Sequence, residues 1–290
     1  MTPDSPSAGR RIESLMDTRA ADSPRPTPEA GRGRWWNAAW FDVLQFTAFV
    51  AALLGLAVSG AVGMGYNWQW YRVPELLVRI VEGELLWGPL ARGLLVTLEL
   101  TGWSVLITLA IGLAAALLRL SDSFSGRIVA KVYVEAVRST PLLIQVYLFY
   151  FVLGPILGLD RFWVGVLALS IFEGAFAGEV IRAGVLSVRR GQWEAGASLG
   201  LSRRQLYRSV VLPQAVPLML PPLTGIVISL IRNSAIVSVI AVFDLTTEAR
   251  NIIAETFLSF EIWITVAAIY LALTVALSVV AGRLEHHVRA

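Results

Sequence analysis

Apolar runs long enough to cross a lipid bilayer constrain this chain more than any other feature of its sequence. A helix needs roughly 20 apolar residues to cross a hydrocarbon core about 30 Å thick. Because lipid cannot hydrogen-bond to the backbone, each such run is predicted to be an α-helix. The sequence therefore predicts an all-α integral membrane protein with about six transmembrane helices. Their approximate ranges are 41–63, 93–118, 141–157, 162–183, 218–242 and 262–280.

The first 63 residues divide into a polar stretch and an apolar one. Residues 1–34 are rich in proline, serine, glycine and arginine and have no apolar periodicity, which is typical of a disordered tail. Trp35, Trp36 and Trp40 then precede the first apolar run, as aromatic residues do at a membrane interface. We therefore assign residues 35–63 to the first span.

The segment 64–92, between the first two spans, is aromatic and charged. Within it, Leu76, Leu77, Ile80 and Val81 recur at helical spacing. This pattern predicts a short amphipathic helix lying on the membrane surface. Ordinary packing at the interface is the alternative interpretation.

The distribution of arginine and lysine predicts the orientation of the spans, because cytoplasmic loops carry an excess of these residues. The N-terminal stretch holds six of them, residues 119–138 hold four, and residues 182–208 hold six. The alternating loops hold Arg161 alone, or Arg250 among four acidic residues; segment 64–92, with three of each sign, is the exception. Both termini are therefore predicted to be cytoplasmic, and segment 64–92 extracytoplasmic.

A polar stretch, residues 191–213, lies between two of the spans on the predicted cytoplasmic side. Glycines bracket a helical run from Gln192 to Leu199, and Ser202 and Gln205 have the spacing of a capping box that starts a second helix at Arg203. The first helix carries small residues that would let another protein approach closely. The stretch is thus predicted to be a helical docking hairpin, with a plain solvated loop as the alternative. The small residues are Ala195, Gly196, Ala197 and Ser198.

This stretch resembles the EAA loop of the membrane permeases of ABC importers. Glu194-Ala195-Gly196, Gly200, Val210 and Leu212-Pro213 keep every spacing of that pattern, with glycine in place of its third residue, alanine. Three further segments resemble the polar amino-acid uptake subfamily, so that the resemblance covers roughly residue 90 to the C-terminus. They are residues 137–154, 178–195 and 228–249.

The resemblance implies an architecture and a set of partners. Residues 93–283 would be a five-helix permease core that includes the EAA loop, followed by a short cytoplasmic tail, 284–290. The subunit would sit in a bacterial inner membrane beside a second permease chain, identical or paralogous. Two ATP-binding subunits and an extracytoplasmic amino-acid-binding protein would complete the importer.

The ATPase of such an importer must be a separate subunit. The only lysine in the chain is Lys131, and no glycine-rich loop precedes it. A Walker A motif needs glycine, lysine and serine or threonine in succession to hold the phosphates of ATP. The chain is therefore predicted to bind no cofactor itself, with ATP and magnesium on the partner ATPase.

Two sets of residues are candidates for function. The hairpin residues are predicted to couple the chain to the ATPase, with Gly200 setting the angle between its helices through a positive φ and Glu194 making a charge contact or cap. Charged and polar residues inside the spans are predicted to line the substrate path, because a charge in the bilayer is costly unless it faces protein or water; structural pairing is their alternative role. The coupling set is Glu194, Ala195, Gly196, Ala197, Gly200 and Arg203, and the path set is Glu99, Glu173, Arg232, Asn233 and Ser234.

Other classes of protein fit the sequence less well. The chain has no cysteine, and its two histidines are adjacent in the tail, so neither a metal site nor a histidine-based catalytic site is predicted. A net charge of +3 is accounted for by basic loops and not by a nucleic-acid partner. A secondary amino-acid carrier without an ATPase partner is the alternative function, although we find no internal repeat.

Overall fold

The computed structural model describes residues 39–81 and 84–289. The predicted N-terminal tail, residues 1–34, lies outside the described residues, as do Trp35 and Trp36. The chain forms two compact units, Met1–Asn67 and Trp68–Ala290. The sections below treat each unit by itself.

In the part of the first unit that the structure describes, residues 39–67, the chain forms one helix, α1 (Ala39–Gly63), which is apolar over most of its length. Its few hydroxyl groups bond to its own backbone: Thr47 Oγ1 donates to the Val43 carbonyl at 2.8 Å and Ser59 Oγ donates to the Leu56 carbonyl at 3.0 Å. A helix whose hydroxyl groups bond to its own backbone and whose side chains are mostly apolar suits a lipid environment.

The second unit begins with a short 3₁₀ turn, Trp70–Arg72, then α2 (Val73–Leu77) and two antiparallel strands, β1 (Val78–Val81) and β2 (Glu84–Trp87). The helix predicted through Ile80 and Val81 is therefore wrong, since both residues lie in β1. Branched side chains favour a strand, and Val78 pairs with Trp87 across the ladder. Gly88 then passes so close to α2 that a Cβ would lie 2.2 Å from the Leu76 carbonyl oxygen.

Ten further helices follow, with irregular helical turns between some of them. Two π-helical turns, Phe149–Leu153 and Tyr207–Val211, join α5 to α6 and α9 to α10, and a 3₁₀ helix, Ala235–Ile240, follows α10. The helices are α3 (Pro89–Leu120), α4 (Phe124–Arg138), α5 (Leu142–Leu148), α6 (Gly154–Leu157), α7 (Arg161–Leu186), α8 (Arg190–Ser198), α9 (Arg203–Leu206), α10 (Leu212–Ser234), α11 (Leu245–Thr256) and α12 (Ser259–Arg289).

The described part of the chain supports the predicted number of spans. Five helical stretches are long and apolar enough to cross a membrane, and a sixth span results if the pair Phe124–Arg138 and Leu142–Leu157, bent by 109°, counts as one. This confirms the all-α fold class with about six spans. The stretches are Trp40–Gly63, Pro89–Leu120, Arg161–Leu186, Arg203–Ile240 and Ser259–Arg283.

The basic segment 119–138 is mostly helical, because α4 occupies it from Phe124 onwards. Ser123 caps α4 by accepting from the Gly126 amide at 3.2 Å. Thr140 does not cap α5: its hydroxyl donates back to the Ala136 carbonyl at 3.0 Å. The turn between the two helices is instead held by Gln145, whose Nε2 donates to the Val137 carbonyl at 2.8 Å.

Small and hydroxyl side chains bring α3 and α7 together in the centre of the second unit. A Cβ on Gly112 would lie 2.7 Å from the Cβ of Ala177, so only glycine permits this approach. The buried hydroxyl of Ser170 donates to the Val166 carbonyl at 2.6 Å and lies 3.3 Å from the Ser104 carbonyl on α3. Small residues with polar links are the usual means of packing helices in a membrane.

From the sequence alone, the prolines at the start of the span that contains α10 are expected to bend or locally unwind it; within α10 they do not unwind it. Pro217, Pro221 and Pro222 all lie inside a continuous helix. The irregular turn comes earlier, where the Leu212 amide bonds to the Tyr207 carbonyl five residues back. This wider turn lies directly before Pro213, which has no amide hydrogen to donate.

Candidate functional site

The segment after α7 folds as a helical hairpin, which we define as residues 190–211. Its first helix, α8, begins at Arg190, two residues earlier than predicted. It ends in a Schellman motif, in which the Leu201 amide bonds to the Gly196 carbonyl at 3.2 Å and the Gly200 amide to the Ala197 carbonyl at 3.0 Å. Gly200 has φ +74° and nothing within 4 Å of where its Cβ would be, so the backbone angle alone calls for glycine.

The second helix of the hairpin starts where its capping box predicts. The Ser202 hydroxyl accepts from the Gln205 amide at 3.4 Å, and Gln205 Oε1 accepts from the Ser202 amide at 2.9 Å. The two bonds satisfy amide groups that the first turn of a helix leaves open. The predicted start of this helix at Arg203 is confirmed.

One side of the hairpin packs on the ends of α7 and α10. Trp193 stacks edge-on against Tyr207, with ring centroids 5.3 Å apart, and its Nε1 donates to the Val188 carbonyl at 3.3 Å. Gly196 is buried on this side, where a Cβ would lie 2.3 Å from Leu206 Cδ1. Gly196, predicted to contact the ATPase, thus faces the second hairpin helix, and its missing side chain makes room for Leu206.

The opposite side of the hairpin is exposed and holds the remaining predicted coupling residues. Ala195 and Ala197 are exposed, and Leu199 at the apex is 80% exposed. Glu194 lies within α8, not at its end, and pairs with Arg190 at 2.9 Å.

The hairpin is also tied to the neighbouring loop of the same unit. Arg203 Nη1 lies 2.6 Å from Asp122 Oδ2, and both side chains are exposed. Exposed ion pairs of this kind contribute less than about 1 kcal/mol. Asp122 follows the end of α3, so the pair locates the hairpin at that end of the spans.

Three of the five predicted path residues meet at a cavity of about 300 Å³ between α7 and α10. Glu173 is 3% exposed, and its Oε1 accepts from Asn233 Nδ2 at 2.8 Å. Arg232 lines the same cavity with an exposed side chain. One cavity therefore contains a carboxylate, an amide and a guanidinium group.

The other two predicted path residues lie elsewhere. Ser234 is buried, does not line the cavity, and donates to the Ile231 carbonyl at 2.7 Å. Glu99 is exposed on the outer surface of α3.

Sequence reasoning missed Ser229, whose hydroxyl accepts from Asn233 Nδ2 at 3.2 Å. Its position four residues before Asn233, on the same face of a helix, is the feature of the sequence that could have predicted this contact. Phe172 and Phe176, which flank Glu173 in the sequence, also line the cavity.

Glu179 and Arg182 form the ion pair that their spacing predicts, with Nη2 and Oε2 3.0 Å apart. Arg119 of α3 contacts the same carboxylate, which sequence reasoning missed because the partner is 60 residues away. The three side chains are 21–27% exposed. Within the described residues, no group of three histidine, aspartate or glutamate side chains is placed to hold a metal ion.

Comparisons with known proteins agree with the membrane-spanning fold described above. Residues 107–290 match the family described as binding-protein-dependent transport system inner membrane component. The chain is 39% identical over 198 residues to the glutamine transport system permease protein GlnP of Escherichia coli K12, covering 66% of this chain and 90% of that protein. It is 39% identical over 176 residues to the probable glutamine ABC transporter permease protein GlnM of Bacillus subtilis 168, covering 60% and 82%.

A solved structure is similar as well. It is described as the crystal structure of an amino acid ABC transporter with histidines, and it matches with a TM-score of 0.65 at 39% identity, covering 69% of this chain and 94% of that one. The structural match therefore includes nearly the whole of the solved chain.

The fold and the comparisons define a membrane-spanning transport subunit. The chain belongs to the family of binding-protein-dependent transport system inner membrane components, the multi-pass permeases of ABC importers. This confirms the resemblance to permeases of the polar amino-acid uptake family, and a secondary carrier is not favoured.

Proposed function

We propose that this permease moves a polar amino acid such as glutamine through the membrane, driven by a separate ATPase that docks on the hairpin. The observation that carries the substrate class is the cavity with Glu173 and Arg232 on its wall. An amino acid is a zwitterion, so its ammonium and carboxylate groups each need an opposite charge inside the membrane. The glutamine permeases related to this chain support the same class.

In this proposal Glu173 contacts the substrate ammonium group and Arg232 the carboxylate. Asn233 holds the Glu173 carboxylate in place through a bond of 2.8 Å. The cavity, at about 300 Å³, is at the lower end of the size range of small-molecule sites. Glu99 and Ser234 lie outside this path.

The exposed side of the hairpin would be the ATPase contact. Ala195 and Ala197 let a partner approach the α8 backbone, and Leu199 gives it an apolar anchor. The buried side, with Trp193, Gly196 and Leu206, would make the hairpin a rigid lever on α7 and α10, because its motion is passed through packed side chains. Glu194 and Arg203 would then contribute rim charges, which affect specificity more than affinity.

The proposed assembly follows from the same roles. Two permease chains, identical or paralogous, would bind two ATP-binding subunits that hold ATP and magnesium. An extracytoplasmic amino-acid-binding protein would deliver the substrate. The hairpin and both chain termini would face the cytoplasm, in agreement with the basic residues at that end of the spans.

Substituting Gly200 tests the coupling role directly. Gly200→Val forces a branched residue to φ +74°, at about 1–3 kcal/mol of strain, and should misdirect the hairpin without affecting membrane insertion. We expect ATP hydrolysis stimulated by loaded binding protein to fall about tenfold in proteoliposomes containing the assembled complex. Gly200→Asn is the matched control, since asparagine tolerates this conformation, and should retain most of the stimulation.

The same experiment distinguishes a hairpin that couples the subunits from a passive loop. Wild-type stimulation and wild-type recovery of the ATPase with Gly200→Val would show that the hairpin does not couple the subunits. Stimulation lost equally in the valine and asparagine variants would mean that the effect is not the backbone angle.

A further inference from the structure

A second charged cavity, of about 320 Å³, lies where α4 meets the adjoining ends of α3 and α7. The Arg203–Asp122 pair places it at the end of the spans that carries the hairpin. Four of the side chains on its wall are basic, and neither the proposed substrate path nor the proposed ATPase contact uses them. The wall consists of Arg119, Phe124, Arg127, Ile128, Lys131 and Arg182.

The charge of this cavity is only partly balanced by the surrounding residues. Glu179 contacts both Arg119 and Arg182. Lys131 has Glu135 at 3.7 Å, with both side chains more than 60% exposed. Arg127 donates from Nη1 to the Ser121 carbonyl at 3.0 Å. Among the described contacts, four positive charges therefore face two carboxylates, and the remaining charge suits an anion.

The cavity borders an apolar surface on α4. Phe124, Ile128 and Val132 lie one turn apart on this helix and are 71%, 45% and 60% exposed. Arg127 and Lys131 form a basic row beside them. An apolar row next to a basic row is typical of a helix at the boundary between acyl chains and headgroups.

The direction of α4 fits the same position. It is bent by 109° from the helical segment that follows, so the two cannot both run along the membrane normal. Its buried residues Ala130 and Val134 hold it against the rest of the unit. Basic cavities between transmembrane helices at such a boundary bind the headgroups of anionic lipids.

We propose that this cavity binds the phosphate group of an anionic phospholipid, whose acyl chains lie along Phe124, Ile128 and Val132. Inorganic phosphate offers the same charge to Arg127 and Lys131 but has nothing to place on the apolar row. The adjoining apolar row thus makes lipid, and not a soluble anion, the ligand of the site.

Native mass spectrometry of the purified full chain in detergent tests this site. We expect phosphatidylglycerol to bind more tightly than phosphatidylcholine. The double variant Arg127→Gln and Lys131→Gln should weaken phosphatidylglycerol binding by roughly 25-fold, at about fivefold per basic side chain, and leave phosphatidylcholine binding unchanged. The double variant Arg204→Gln and Arg208→Gln, on the hairpin, removes the same charge outside the cavity and should bind phosphatidylglycerol like the wild type.

Three outcomes would overturn the proposal. Equal losses in the two double variants would show a general effect of charge. Displacement of phosphatidylglycerol by inorganic phosphate at similar concentration would identify a soluble anion as the ligand. A cavity variant that keeps its lipid but no longer recovers the ATPase would identify a protein contact. Since Arg127 and Lys131 are exposed, we expect thermal melting like that of the wild type; if the double variant does not fold, Lys131→Gln alone should show the fivefold loss.

Discussion

Two glutamates on α7 differ in the groups that contact their carboxylates. Glu179, near the hairpin end, lies between Arg119 and Arg182, so protein charges balance its own. Glu173, deeper in the span, accepts from the neutral amide of Asn233 and has no arginine or lysine within 4.0 Å in the described part of the chain. A carboxylate that arginines already balance is structural. One held by neutral groups still attracts a cation.

The largest effect should come from removing the charge of Glu173. Glu173→Gln keeps an oxygen for Asn233 but loses the proposed contact with the substrate ammonium group. A hydrogen bond to a charged group contributes about 1.5–3 kcal/mol, so initial uptake of labelled glutamine into proteoliposomes should fall about 10- to 100-fold. Glu99→Gln is the matched control, because that glutamate lies outside the cavity, and uptake there should stay close to wild type.

This experiment can also contradict the assignment. If Glu173→Gln transports like the wild type, the cavity is not the path. Equal losses in Glu173→Gln and Glu99→Gln would show only that carboxylates in the spans matter for folding, and the contrast within α7 would lose its meaning.

A smaller effect, on stability and not on transport chemistry, should follow from Glu179→Gln. The substitution leaves Arg119 and Arg182 without their shared partner. Breaking a fully buried pair costs 3–5 kcal/mol; these side chains are 21–27% exposed, and we expect about 1–3 kcal/mol. Thermal unfolding in detergent should show a lower Tm, while the uptake rate per folded complex stays near wild type. An unchanged Tm with slow uptake would reverse the roles of the two glutamates.

The sequence could predict features that depend on neighbouring residues. The spans followed from the length of the apolar runs, the start of α9 from the spacing of Ser202 and Gln205, and the positive φ of Gly200 from its place after a helix. Each depends on interactions within a few residues, which the sequence shows directly.

Features that depend on tertiary contacts could not be predicted in the same way. The bonds of Glu173 with Asn233 and of Glu179 with Arg119 each join residues 60 positions apart. The burial of Gly196 depends on which side of α8 meets Leu206. Because α8 begins two residues earlier than predicted, each of its residues lies about 200° further around the helix axis, counted from the first residue of the helix. The strand β1 was missed because a short apolar run fits helical and strand periods alike.

A third carboxylate, Asp244, extends the comparison to one held by hydrogen bonds from two neutral neighbours, Thr246 and Thr247. It is buried at the start of α11, where its oxygens accept from the amides of Thr246 and Thr247 at 3.2 and 3.0 Å. Burial raises its pKa above the ordinary value, and the hydrogen bonds from these threonines offset part of the rise. Burying the charged form therefore costs stability, and among the described residues no arginine or lysine within 4.0 Å of Asp244 offsets this cost.

The sign of the resulting pH dependence follows from linkage. The folded chain holds the Asp244 proton more tightly than the unfolded chain, whose aspartate has a pKa of about 3.9. The free-energy cost of burying the charged carboxylate is absent below the unfolded pKa and complete above the raised pKa of the folded chain. The free energy of unfolding should therefore fall as the pH increases from the first pKa to the second. Asp244→Asn, which resembles the protonated side chain, should lack this fall.

The measurement is the difference in Tm between wild type and Asp244→Asn as a function of pH. We expect the wild type to lose stability relative to the variant as the pH rises from about 4. Asp160→Asn is the matched control: Asp160 caps α7 with bonds of 2.8 and 3.1 Å but is exposed, so its substitution removes a similar cap without a buried charge. The proposal would be contradicted if the Tm difference for Asp244→Asn does not change with pH. It would also be contradicted if the Tm difference for Asp160→Asn changes as steeply, because burial would then not determine the pH dependence.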